Sequence, residues 1–196
     1  MELQKLNVKI FAEPPHRAAL ADFIDVFHGW IQATDGIYHD VADYTHMQDG
    51  AGVLLVADDA NVSIDESENR RGLLFSQKRP LKGSNHEKLV TVVRAALENC
   101  CRLEEEPRLK GSIKFTGNEL SVAINDRLRA PNTEETFNEL RADIAAVAER
   151  LFPGAAFSVD RVPDPRKRFA ITLRTSRNFD IRTLLENLKT GDEARG

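Results

Sequence analysis

The chain has 196 residues, a net charge of −4 and a pI near 5.8. Its hydrophobic share of 41% and charged share of 30% are those of a chain that folds around one sizeable core. The acidic balance argues against a general nucleic-acid binder, and no apolar run is long enough to span a membrane.

The first stretch, residues 5–11, alternates Leu6, Val8 and Ile10 with Lys5, Asn7 and Lys9, which predicts a strand. Pro14 and Pro15 break it. Leu20, Phe23, Ile24, Phe27 and Ile31 then mark an amphipathic helix over about residues 15–32. Gly36 separates that helix from a strand over residues 37–44. A turn signal covers residues 48–52. Residues 53–57 form a short continuous apolar run, as in a strand covered on both faces. Val62 and Ile64 alternate, residues 66–71 read as a charged loop, and residues 72–78 as a further strand. Ser84 and Glu87 have capping-box spacing ahead of a helix whose stripe is Leu89, Val92, Val93, Ala96, Leu97 and Cys100.

Residues 110–152 carry the clearest local pattern. Gly117-Asn118 predicts a two-residue hairpin turn that sets Phe115 against Leu120 and Ile113 against Val122. Asn132 predicts an N-cap, with Glu135 three residues on. Phe137, Leu140, Ile144, Val147 and Leu151 then form one apolar stripe, and Pro153-Gly154 ends the helix. Phe157 and Val159, then Phe169, Ile171 and Leu173, predict two more strands. Ser176 or Asn178 would cap a last helix carrying Ile181, Leu184, Leu185 and Leu188. Residues 191–196 should fray.

These elements predict one α+β domain over residues 1–190, with a largely antiparallel sheet and about four helices packed on it. A strand–strand–helix plan recurs, giving internal units at 50–107, 108–154 and 155–189. Cys100 and Cys101 are adjacent and offer no disulfide framework. The first five residues lack a basic segment leading into an apolar core. A reducing, cytoplasmic compartment is the expectation from both features.

Three kinds of candidate site stand out. Basic residues gather ahead of the later helices: Lys78, Arg79 and Lys82 before Ser84, Arg127 and Arg129 before Asn132, and Arg174 and Arg177 around Ser176. Helix N-termini bind anions, and arginine grips phosphate or carboxylate bidentately. These loops, with Ser84 and Asn132, would therefore bind an anionic ligand if they line one edge; otherwise they are solvated loops paired with glutamates.

The second site is the run His28, His39, Asp40, Asp43, Tyr44 and His46, whose side chains suit metal binding or acid–base chemistry. A regular strand places His39 and Asp43 on one face and Asp40 on the other, so the alternative is a polar strand end. The third is Ser84 or Cys101 as a nucleophile; Ser84 lacks the glycine-flanked elbow, and Cys100 falls on the buried stripe. Arg161, Arg166, Lys167 and Arg168 make a basic turn beside Phe169, read as a solvated hairpin tip with RNA contact as the alternative.

Several strings are similar to those of a group of uncharacterised bacterial proteins. They include Asp40-Val41-Ala42-Asp43-Tyr44 with His46, Gly52-Val53-Leu54-Leu55, Gly83-Ser84-Asn85, and Ile124-Asn125-Asp126-Arg127-Leu128 through Ala130-Pro131-Asn132. The resemblance implies a free-standing bacterial protein and assigns no activity, cofactor or site residue. The functional expectation is thus a binding or assembly protein that recognises an anionic small molecule through basic loops. One alternative is an enzyme using His39, Asp43 and His46, with or without a metal. The other is a subunit that docks a protein partner and takes no ligand.

Overall fold

The computed structural model describes residues 1–47 and 52–193. Eight antiparallel strands form a single sheet: β1 (Leu6–Ala12), β2 (Tyr38–Asp43), β3 (Val53–Ala57), β4 (Ala60–Asp65), β5 (Gly72–Gln77), β6 (Phe115–Ile124), β7 (Phe157–Arg161) and β8 (Ala170–Thr175). Their order across the sheet is β2-β3-β4-β5-β1-β6-β8-β7. Four helices accompany them: α1 (Leu20–Ala33), α2 (Asn85–Glu105), α3 (Glu134–Leu151) and α4 (Ile181–Glu193).

The first strand predicted from sequence becomes the centre of the sheet, paired with β5 on one side and β6 on the other. Period-two alternation then sorts side chains to two faces. Leu6 stands in register with Ile124, Val8 with Phe75 and Val122, and Ile10 with Leu73 and Leu120, and all are buried under the helices. α2 lies over β1 and β5, α3 and α4 lie beside α2, and α1 covers β2 and β3. Among the described residues, the opposite face of the sheet carries no α-helix. There Asn7, Lys9 and Phe11 stand in register with Ser76, Leu74 and Gly72 on β5; Ala123 and Ser121 on β6 lie opposite Asn7 and Lys9.

The α+β architecture and the antiparallel sheet agree with the sequence reading, and several local expectations do not. Gly117-Asn118 is not a hairpin turn: both residues lie inside β6, an unbroken strand of 10 residues. Two-residue hairpin turns need positive φ, and Gly117 is absent from the positive-φ positions. It is glycine for another reason. A Cβ there would stand 1.9 Å from the Phe179 carbonyl oxygen, so only a bare backbone lets the start of α4 close on the strand. The middle unit is accordingly strand–helix, whereas β4-β5-α2 and β7-β8-α4 keep the strand–strand–helix plan.

Thr133, not Asn132, caps α3, its hydroxyl accepting from the Thr136 N–H at 3.3 Å. At α4 the cap is Asp180, neither Ser176 nor Asn178: its carboxylate accepts from the Arg182 N–H at 2.9 Å. α1 begins at Leu20, five residues after Pro15: Arg17 and Ala18 donate their N–H groups to the Ser112 carbonyl, and Ala19 is the extended cap residue. β3 is covered on one face only, with Val53, Leu55 and Ala57 buried and Leu54 and Val56 half-buried. Ser84 caps α2 with a reciprocal Glu87 contact, as its spacing predicted. The predicted turn at 48–52 falls outside the described residues except for Gly52, and α4 runs through Glu193 into the segment predicted to fray.

Candidate functional site

The helix-free face of the sheet forms the floor of a cleft of 470 Å³. Small side chains make the room: Ser121 and Ala123 on β6 and Ala170 on β8 leave the centre of the face low, while Phe11 and Leu74 give it an apolar flank. Two loops from opposite ends of the strands fold over it. One is the β4–β5 connection, a single 3-10 turn at Ser67–Asn69. The other is the β7–β8 connection, residues 162–169. They meet where Lys167 Nζ contacts Glu68 Oε1 at 2.9 Å, a bridge between residues 99 positions apart.

At the floor, Lys9 is the one charged side chain that β1 directs to this face, and it is 9% exposed. Its ammonium pairs with the Asp65 carboxylate and donates to the Ser67 carbonyl and hydroxyl, both at 3.2 Å. Asp65 also accepts from the Ser67 hydroxyl at 2.5 Å and from its N–H at 3.2 Å. Buried charge requires such saturation of partners. At the rim stand Arg127, Arg166, Lys167 and Arg168, all exposed. Arg127 donates to the Arg166 carbonyl and Arg168 to the Asn125 side-chain oxygen at 3.1 Å, both neutral acceptors. Arg166 pairs with Asp164. The lining thus holds five cationic side chains against two carboxylates, Asp65 and Glu68, a local excess of positive charge in an acidic protein. The Glu68 hydrogen bond raises the Lys167 pKa further above its ordinary value.

Among the sequence candidates, the structure puts Arg127 in this cleft. Arg129 and Lys78 come together in a neighbouring pocket of 390 Å³ with Lys5, Gln4 and Asp126. The loop between β6 and α3 separates the two, sending Arg127 to one side and Arg129 to the other. Arg79 pairs with Asp58 and Asp59. Lys82 is exposed, and Ser84 is occupied as a helix cap. Arg174 and Arg177 do not join this end: Arg174 stands opposite Glu119, while Ala170 stands opposite Ala123 near Asn7. The basic loops therefore do not form one continuous edge. Arg174 is bound to Glu119 and Asp160, and Arg177 lies over the Phe179 ring at 4.8 Å.

Asn132 acts on the site indirectly. It is 5% exposed, donates to the Val162 and Asp164 carbonyls at 2.9 and 2.8 Å, and accepts from Arg161 at 3.0 Å. These bonds pin the root of the loop that carries Arg166, Lys167 and Arg168. Phe169, beside that basic turn, is 2% exposed in the core and offers no ring for stacking on a base.

Glu119 anchors the other end of the same face. It takes both terminal nitrogens of Arg70 at 2.8 Å, and the Arg70 guanidinium lies 3.7 Å above the Phe11 ring. Arg70, then burial in opposition, then Arg174 set its pKa, with the net effect a lowering from 4.5. A carboxyl lowered on folding contributes stability that is present above its unfolded value and lost as the pH falls through the folded value. Glu119→Gln should therefore flatten the acid limb of the stability curve below about pH 4.5; urea midpoints measured from pH 6 down to pH 3 check this, and an unchanged acid limb would contradict it.

The His/Asp run does not converge. A bulge between Tyr38 and Asp40 shifts the register, so Tyr38, Val41 and Asp43 face the core side opposite Ala57, Leu55 and Val53. His39 leaves Asp43 and contacts Asp58 at 3.0 Å, while Asp43 accepts from the Thr45 N–H at 2.9 Å. This corrects the shared face expected for His39 and Asp43. Among the described residues, no group of three or more His, Cys, Asp or Glu side chains is placed to hold a metal ion. Cys100 is buried, which pushes its thiol pKa well up, and burial also raises that of the half-buried Cys101.

Sequence reasoning passed over Lys9, Asp65, Ser67 and Glu68. In an alternating strand a lysine reads as solvent-facing, and nothing local tells that Asp65, 56 residues on, covers it. Comparisons of the chain with protein-family models, curated proteins and solved structures find no match. Among the described residues, no helix is long and apolar enough to cross a membrane.

Proposed function

We propose that the chain is a binding protein for a small anionic molecule bearing phosphate or carboxylate, seated in the cleft on the helix-free face of the sheet. The observation that carries this reading is the net basic lining of a 470 Å³ cleft in a chain of net charge −4. That volume falls within the range of small-molecule sites, which combine an apolar flank with a few fixed polar groups. Arg127 and Arg168 supply guanidinium groups whose present acceptors are neutral and would yield to an anion. Ser121 and Asn7 supply uncharged hydrogen-bonding groups on the floor.

Isothermal titration with inorganic phosphate, pyrophosphate, citrate and nucleoside monophosphates at low salt tests the reading. At least one should bind, and affinity should fall as salt rises. Arg127→Ala and Arg168→Ala should each weaken binding by about tenfold or more, the loss of one charge-assisted hydrogen bond. Absence of binding across the series, or binding indifferent to both substitutions, overturns it.

A further inference from the structure

The cleft already holds an anionic group of its own. Glu68 reaches from the β4–β5 turn to Lys167 and places a carboxylate among the rim cations. We propose that this carboxylate occupies the position of the ligand's anionic group, so that Glu68 is a built-in competitor which the ligand displaces from Lys167. The inference rests on the cleft reading and deepens it: it specifies where the anion sits and what it must replace.

Three features support displacement over permanent closure. The side chains of Lys167 and Glu68 are 56% and 74% exposed, so solvent screens their bridge and it contributes little to holding the loops. The turn is anchored on both sides of its tip. Ser67 is tied to Asp65 and Lys9 below, and Arg70 is clamped by Glu119 and stacked on Phe11 beyond. Between these posts, Glu68 and Asn69 are a two-residue tip held at φ of 59° and 56°. That left-handed conformation is disfavoured for Glu68, whereas asparagine tolerates it. Letting go of Lys167 therefore moves two residues and leaves the floor of the cleft intact. The chemistry also matches, since a carboxylate on Lys167 is what a carboxylate or phosphate ligand would present there.

The test compares Glu68→Gln with Glu66→Gln. Both remove one negative charge from the same loop, but Glu66 pairs with Arg71 outside the cleft. The wild-type chain and both variants are titrated with pyrophosphate and with citrate at low salt. Glu68→Gln should bind about three- to fivefold more tightly than wild type, the gain from removing an exposed competing ion pair. Glu66→Gln should differ from wild type by less than about twofold. Tightening equal in the two variants reflects net charge alone and overturns the competitor role. Weakening in Glu68→Gln also overturns it, because Glu68 would then hold the bound state closed. If wild type binds and Arg127→Ala weakens it while Glu68→Gln gains nothing, the cleft reading survives and the role of Glu68 fails. If neither wild type nor Glu68→Gln binds any anion of the full series, both fail together.

Discussion

Lys9→Met is expected to lower the unfolding free energy by about 3–5 kcal/mol, the cost of leaving one member of a buried ion pair without its partner. The side chains of Lys9 and Asp65 are 10% and 6% exposed, so neither can turn to water without opening the loop above them. Asp65→Leu should cost a similar amount, for it strands the ammonium beneath the cleft. The double variant Lys9→Met/Asp65→Leu should cost less than either single change, because no buried charge is left over. Urea titrations of the four proteins give the cycle directly. A double variant as unstable as the sum of the two singles would mean that the pair is not coupled and that the side chains act through packing alone.

The same cycle bears on why the pair is there. An apolar pair in the same space would hold the sheet as well, so a stability role alone does not call for charge at this position. In the wild-type chain the ammonium lies at the floor of the cleft and within reach of Ser67, whose neighbour Glu68 contacts Lys167 at the rim. A stable double variant that has lost affinity for pyrophosphate would assign Lys9 to the site. One that keeps full affinity would assign the anion to the rim cations.

What could be read from the sequence divides along the range of the interactions involved. Capping of α2 by Ser84 and Glu87, the apolar stripe of α3 and the alternation in β1 are set by residues within a turn or two of each other, and they were legible. Gly117 was misread because two causes select glycine. Positive φ is a local cause, and close approach of another backbone is not; the Phe179 carbonyl that excludes a side chain there lies 62 positions away. Asn132 was misread for a similar reason. It sits one residue from the true cap and resembles one, yet its amide is engaged by carbonyls of the β7–β8 loop.

The site was less legible than the fold. Its rim cations, Arg127 and the 166–168 cluster, were visible as charge in loops. Its floor was not, since Lys9 and Asp65 meet only when β1 and β4 both flank β5. The bulge at His39 is a further case: one extra residue in an edge strand reverses which side chains share a face, and no sequence period records it.

Phe27→Ala is expected to destabilise the protein by about 3–5 kcal/mol, in the range for deleting a buried aromatic ring. Its effect should also be uneven across the sheet. Phe27 is 0% exposed and stands 5.4 Å from the Trp30 ring, which in turn faces Tyr38 at 6.4 Å. α1 is the helix that covers β2 and β3, whereas β1, β5 and β6 lie under α2 and α4. β2 is an edge strand whose main holds on the core are Tyr38 and Val41. Removing the ring beneath it should loosen α1, β2 and β3 before the centre of the sheet, since regions with few buried contacts open at lower free energy. Hydrogen exchange should accordingly accelerate most at residues 38–43 and 53–57 and least in β1 and β6. Uniform acceleration would show that the sheet opens as one unit and that α1 does not define a separable edge. In the uneven case the cleft, built on β1, β4, β5, β6 and β8, should keep any affinity for pyrophosphate in Phe27→Ala under conditions where the protein remains folded. The stability of the edge and the chemistry of the site would then be separable by a single side chain.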